Sequence, residues 1–97
     1  MQLIQTLEFR TSEFDKIRAL DDEWRAATEG KRTLRRSIVC QDRNDKDRYI
    51  VLAFFDSPAS ASANSDLPET ANFAEQVNAM VDAPIEFHDL DVVDDRT

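Results

Sequence analysis

The chain has 97 residues, 41% hydrophobic and 33% charged, with a formal net charge of -8. That length suits one domain over residues 1–97, burying somewhat over ~60% of the surface its unfolded chain exposes. The acidic balance opposes binding to nucleic-acid phosphates or acidic lipid, and the longest apolar run, Tyr49 to Phe55, is far short of a membrane span.

Met1 to Phe9 reads as a strand with Leu3, Leu7 and Phe9 on one face and Ile4, Thr6 and Glu8 on the other; Gln5 interrupts the apolar face. Met1 is followed by neither a basic stretch nor a small-residue cleavage site, so a cytoplasmic protein without a secretory signal is expected. Glu13 to Glu29 reads as a helix, with Phe14, Ile17, Leu20, Trp24 and Ala27 as one apolar stripe. Thr11 or Ser12 serves as its N-cap, and Glu13 and Asp15 lie near the positive end of its dipole. Gly30 supplies a left-handed residue past the helix end. It is the only glycine, which excludes dinucleotide and P-loop phosphate sites, because those need several glycines for close backbone approach.

Lys31, Arg32, Arg35 and Arg36 form a solvated basic rim, and Asp89, Asp91, Asp94 and Asp95 an acidic tail. Thr33 to Gln41 reads as a second strand, with Arg36 amid Leu34, Ile38 and Cys40. Cys40 has no disulfide partner and no metal-ligand companions, so a small buried hydrophobe is expected there. Asp42 to Asp47 is a charged turn in which Asn44 and the aspartates replace glycine. Tyr49 to Phe55 is a strand apolar on both faces: Tyr49, Val51, Ala53 and Phe55 line one, Ile50, Leu52 and Phe54 the other. Asp56 or Ser57 caps a short helix from Pro58 to about Asn64, Pro68 breaks it, and a further helix carries Phe73, Val77 and Met80. Asp66 and Glu69 have capping-box spacing, and Pro84 precedes a last strand, Ile85 to Val93, where His88 shares a face with Glu86 and Leu90.

This order predicts a ferredoxin-like βαββαβ α+β sandwich: a four-stranded antiparallel sheet, first and third strands central, helices on one face. The helices cover one side of the doubly apolar strand. A second copy across a two-fold axis is expected to cover the other, giving a homodimer through the sheet face.

The chain resembles the antibiotic-biosynthesis-monooxygenase-like branch of the dimeric α/β barrel superfamily. The resemblance rests on length, element order and the passage Phe54 to Phe73, in which an apolar strand ends in an aromatic and acidic pair, followed by a short helix, a small-residue break and an aromatic-bearing helix. It implies binding of a small hydrophobic or phenolic ligand, with cofactor-independent oxygenation or isomerisation as the reaction, the alternative being a ligand-binding or structural dimer without catalysis. Haem-degrading relatives place a histidine on or near the second helix, where this chain has Asn64 and Asn72, neither a competent haem ligand, so no cofactor is expected. The same two asparagines lie beside the break where relatives open a pocket; Asn64 also suits a helix cap.

Polar side chains on apolar faces are the other candidates, since a ligand can be their partner. Gln5 and Arg36 are such residues, Arg36 suiting a carboxylate or phenolate. The alternatives are backbone bonding by Gln5 and emergence of Arg36 at the sheet edge. His88, the one histidine of the sequence, is the general-base candidate by residue type, against a surface or interface role; with Glu86 it falls short of a metal site. Trp24 and Tyr49 suit an aromatic pocket, against core packing of Trp24. An RNA-binding domain of the same order would carry basic residues and a glycine-containing third strand, and an amino-acid-binding regulatory domain would carry glycine-bearing turns; this chain has neither.

Overall fold

The computed structural model describes residues 2–97, so Met1 of the expected first strand lies outside the described residues. The elements are β1 (Leu3–Arg10), α1 (Phe14–Ala27), β2 (Arg36–Asp42), β3 (Asp45–Phe55), α2 (Pro58–Ser65), α3 (Pro68–Asn78) and β4 (Glu86–Asp91). The strands form one antiparallel sheet in the order β2-β3-β1-β4, with β1 and β3 central as expected.

Alternation along the strands separates two faces. Leu3, Phe9, Tyr49, Ala53 and Phe55 are buried on the helix side. Around Phe9 and Tyr49 the core takes Ile17 from α1 and Val77 from α3, with Phe14, Phe73 and Met80 packed against them. A second cluster of Leu3, Ala53 and Phe55 lies against Ala61 of α2. Tyr49 stacks between Phe9, 5.7 Å away, and Phe14, 4.4 Å away, each pair contributing about 0.5–1.5 kcal/mol beyond its burial.

Among the described residues, no helix covers the opposite face. Cross-strand register sets Arg36, Phe54, Ile4 and Leu90 in one row across it, Ile38, Leu52, Thr6 and His88 in the next, and Cys40, Ile50, Glu8 and Glu86 in a third. Cys40 is therefore exposed, not buried as expected, because its position on edge strand β2 points away from the helices.

Local chemistry adjusts other boundaries. Glu13, without a side-chain bond to the helix amides, is the N-cap of α1. Thr11 instead accepts the Glu13 amide at 3.0 Å and donates its hydroxyl to the Met80 carbonyl at 2.7 Å, tying the start of α1 to the loop after α3. Ser57 caps α2 as expected, accepting the Ser60 amide at 3.1 Å. The Asp66/Glu69 capping box does not form: Asp66 closes α2 through its amide to Ser62, Leu67 is the N-cap of α3, and Glu69 pairs with Lys31 at 2.6 Å. Gly30 has φ of 79° in the turn leaving α1.

The β2–β3 turn is tighter than the sequence pattern indicates, with β3 beginning at Asp45. The Asp42 carboxylate accepts the Asn44 amide at 2.8 Å and Asp45 accepts the Asp47 amide at 3.2 Å, supplying turn bonds without a left-handed residue. Among the described residues, no helix is long and apolar enough to cross a membrane.

Candidate functional site

The small side chains of α2 leave space over the sheet. Pro58, Ala61, Ser62 and Ser65 form one wall of a cleft of about 240 Å³, Leu3 and Gln5 its floor, with Asp66 at the helix end and Asp89 of β4 opposite. Gln5 and Asp89 are register partners across β1 and β4, and the Gln5 Nε2 donates to Asp89 Oδ1 at 3.1 Å. That bond uses one of the two amide hydrogens of Gln5 and leaves its carbonyl oxygen free of this contact. Two carboxylates, a carboxamide and two serine hydroxyls thus gather beside the apolar Leu3, Pro58 and Ala61, a lining suited to orienting a small hydrophobic molecule with a polar group.

A second groove, about 380 Å³, lies at the mouth between β1 and α1, lined by Thr11, Glu13, Phe14, Lys16, Asp47 and Tyr49 among others. It is the larger but the more open, and its rings already stack on one another while Lys16 pairs with Glu13 at 2.9 Å. The α2 cleft is the better candidate because it is partly enclosed and combines the apolar Leu3, Pro58 and Ala61 with polar atoms held by the sheet register.

The seven residues singled out from sequence do not converge. Gln5 lies in the cleft. Trp24 is buried in the core: its Nε1 donates to Thr70 Oγ1 at 2.9 Å, Phe73 lies 6.0 Å from it, and the Arg32 guanidinium sits 5.9 Å above the ring. Tyr49 is also a core residue, whose hydroxyl accepts from Gln41 Nε2 at 3.2 Å. Asn64 is buried and its Oδ1 accepts the Thr33 amide at 3.3 Å, so it ties α2 to the segment leading into β2. Asn72 is exposed on α3. Arg36 and His88 are both exposed on the uncovered face, with the sheet between them and Gln5. They occupy opposite edge strands, three inter-strand spacings or about 14 Å apart.

Asp89, Ser62, Ser65 and Asp66 complete the cleft and were not singled out from sequence. The available signal for Asp89 is alternation: the neighbour of His88 must face the other side, opposite Gln5. The signal for α2 is its run of alanine and serine. Near its start, Arg35 bonds Asp56 at 2.5 Å and holds that carboxyl below the usual aspartate range. Among the described residues, no three of His, Cys, Asp and Glu are grouped to hold a metal ion.

The chain matches no protein-family model, and no curated protein matches it. Solved structures do. Rv0793 from Mycobacterium tuberculosis is 15% identical, with 100% of each chain covered and a TM-score of 0.80. SnoaB, a cofactor-independent oxygenase from Streptomyces nogalater, is 10% identical over 97% of this chain and 95% of that one, with a TM-score of 0.81. A candidate antibiotic biosynthesis monooxygenase from Chloroflexus aurantiacus is 20% identical over 100% and 98%, with a TM-score of 0.74. With its β2-β3-β1-β4 sheet and helix layer, the chain has the α+β ferredoxin-like fold of the antibiotic biosynthesis monooxygenase-like proteins.

Proposed function

We propose that this chain is a homodimeric cytoplasmic protein that binds a small hydrophobic or aromatic ligand in the α2 cleft and oxygenates it without a cofactor. The observation that carries this reading is the cleft, where Leu3, Pro58 and Ala61 lie beside the hydrogen-bonded Gln5–Asp89 pair. Cofactor-independent oxygenation, the activity named for the similar SnoaB structure, asks the protein for binding, orientation, exclusion of water and a proton acceptor. Asp89 is the carboxylate positioned to accept that proton, and Gln5 orients it. An electron-rich ligand supplies the electrons and dioxygen is the oxidant: one oxygen atom enters the ligand in place of two hydrogens, and the other leaves as water.

The uncovered sheet face supports the homodimer. Its central rows carry Ile4, Ile38, Ile50, Leu52 and Phe54, with Arg36 at the β2 edge and Glu86 at the β4 edge. A two-fold axis along the strands lays β2 of one copy over β4 of the other and brings the apolar central rows of the two sheets together. Arg36 and His88 then act at the interface.

A second reading, a ligand-binding dimer without catalysis, is favoured by one observation: His88 lies on the face opposite the cleft. Oxygen uptake with a panel of quinols and polyketide-like phenols separates the two. Uptake that stops in Asp89→Asn supports catalysis in the cleft. Binding without uptake across the panel leaves the second reading.

A further inference from the structure

We infer that the Gln5–Asp89 pair selects a neutral hydroxyl group on the ligand and rejects carboxylates and phosphates; this rests on the reading of the α2 cleft as a ligand site. Leu3, Gln5, Leu7 and Phe9 make up the helix-side row of β1, and Gln5 is its only polar member. The Gln5 amide donates one hydrogen to Asp89 Oδ1, which leaves a second amide hydrogen beside a carboxylate acceptor. A hydroxyl fits such a pair because it donates and accepts at once: its hydrogen goes to Asp89 and its oxygen takes the remaining Gln5 hydrogen. An apolar isostere leaves the second Gln5 hydrogen and the remaining acceptor sites of Asp89 without a partner when it displaces water from them.

Charge makes the choice sharper. The cleft lining includes Asp66 and Asp89 and contains no lysine, arginine or histidine. A carboxylate or phosphate entering it loses water and meets two carboxylates with no cation to offset them, leaving only the neutral donors of Gln5, Ser62 and Ser65.

The next register position supplies the place for the ligand's body. Leu7 faces Phe87 across β1 and β4 on the same side as Gln5 and Asp89, and Phe87 is 54% exposed. A single polar anchor with an apolar shelf one pair along the strands describes a ligand with a hydroxyl at one end and a flat apolar body behind it. The cleft's volume of about 240 Å³, the space of about eight waters, sets a compact size.

Three matched probes test this: 2-naphthol, 2-naphthoate and 2-methylnaphthalene, titrated calorimetrically at pH 7, with the Gln5 and Asp89 amide signals followed by NMR. The expected result is 2-naphthol binding at least ~10-fold tighter than either of the others, with both signals moving. Asp89→Asn, an isosteric change at an exposed position, should bring 2-naphthoate to within ~3-fold of 2-naphthol. Phe87→Ser should weaken 2-naphthol and 2-methylnaphthalene by similar factors. Equal or tighter binding of 2-naphthoate, or an unchanged ratio in Asp89→Asn, overturns the selection while leaving the cleft as a binding site. Failure of all three probes to move the Gln5 and Asp89 signals overturns the cleft reading, and the selection with it.

Discussion

Trp24 is satisfied at every part of its side chain: the indole nitrogen donates to Thr70, Phe73 packs beside the ring, and Arg32 lies over its face. A residue so enclosed contributes stability. Trp24→Ala should destabilise by about 3–5 kcal/mol through lost burial, whereas Trp24→Phe keeps most of the contact and forfeits about 0.5–1.5 kcal/mol with the Thr70 bond. Urea denaturation midpoints check the ranking. Small losses in both variants with weakened ligand binding would instead make Trp24 a pocket residue. Tyr49 and Asn64 are likewise held by partners inside the fold. Polar residues on apolar faces therefore mark several different conditions: Gln5 opens onto a cleft, while Asn64 meets a backbone amide. Asp89 was hidden for another reason. Its neighbours include Asp91, Asp94 and Asp95, which read together as an acidic tail, and only its pairing with Gln5 distinguishes it.

The β2–β3 hairpin shows how charge shapes an element whose hydrophobic pattern is silent. Asp45 to Arg48 are all charged, yet they begin β3, because Arg48 bonds Glu8 and Asp42 while Arg10 pairs with Asp45. The Asn44 amide and then Arg48 hold the Asp42 carboxyl below its usual range, and Arg10 does the same for Asp45. A carboxyl lowered in the folded state stabilises fully above its unfolded pKa, about 3.9, and that contribution disappears as pH falls through the lower folded value. Thermal midpoints should accordingly decline below about pH 5, and the Asp42→Asn/Asp45→Asn double variant should decline less steeply over that window. Equal slopes would show that the hairpin carboxylates contribute nothing to the acid sensitivity. The longer elements were legible where apolar spacing was strong: α1 from its stripe and β3 from Tyr49 onward. Helix ends were less so, because Asp66 could serve either α2 or α3 and it closes α2. The α2 cleft was legible only as a run of small residues, since empty space above a sheet leaves no pattern of its own.

At the scale of the whole molecule, one sheet has an apolar side covered by helices and an apolar side that no other element covers among the described residues. The two sides meet in adjacent residues of β3. Val51 packs against the core around Phe9 and Tyr49, while Leu52 belongs to the uncovered row with Ile38 and Thr6. Charge at each position should therefore have different consequences. Val51→Asp places a carboxylate against the helix-side core without a partner and should lower the thermal midpoint sharply or prevent folding. Leu52→Asp should leave the far-ultraviolet spectrum of the chain intact and convert a dimer into a monomer, because two copies of the charge would face each other near a two-fold axis. Sedimentation at low micromolar concentration and near-physiological salt reads the difference, the salt limiting repulsion between copies that each carry a net charge of -8. The wild-type chain should sediment as a dimer under those conditions. A wild-type monomer would overturn the pairing of sheet faces, and a Leu52→Asp variant that remains a dimer would move the interface elsewhere.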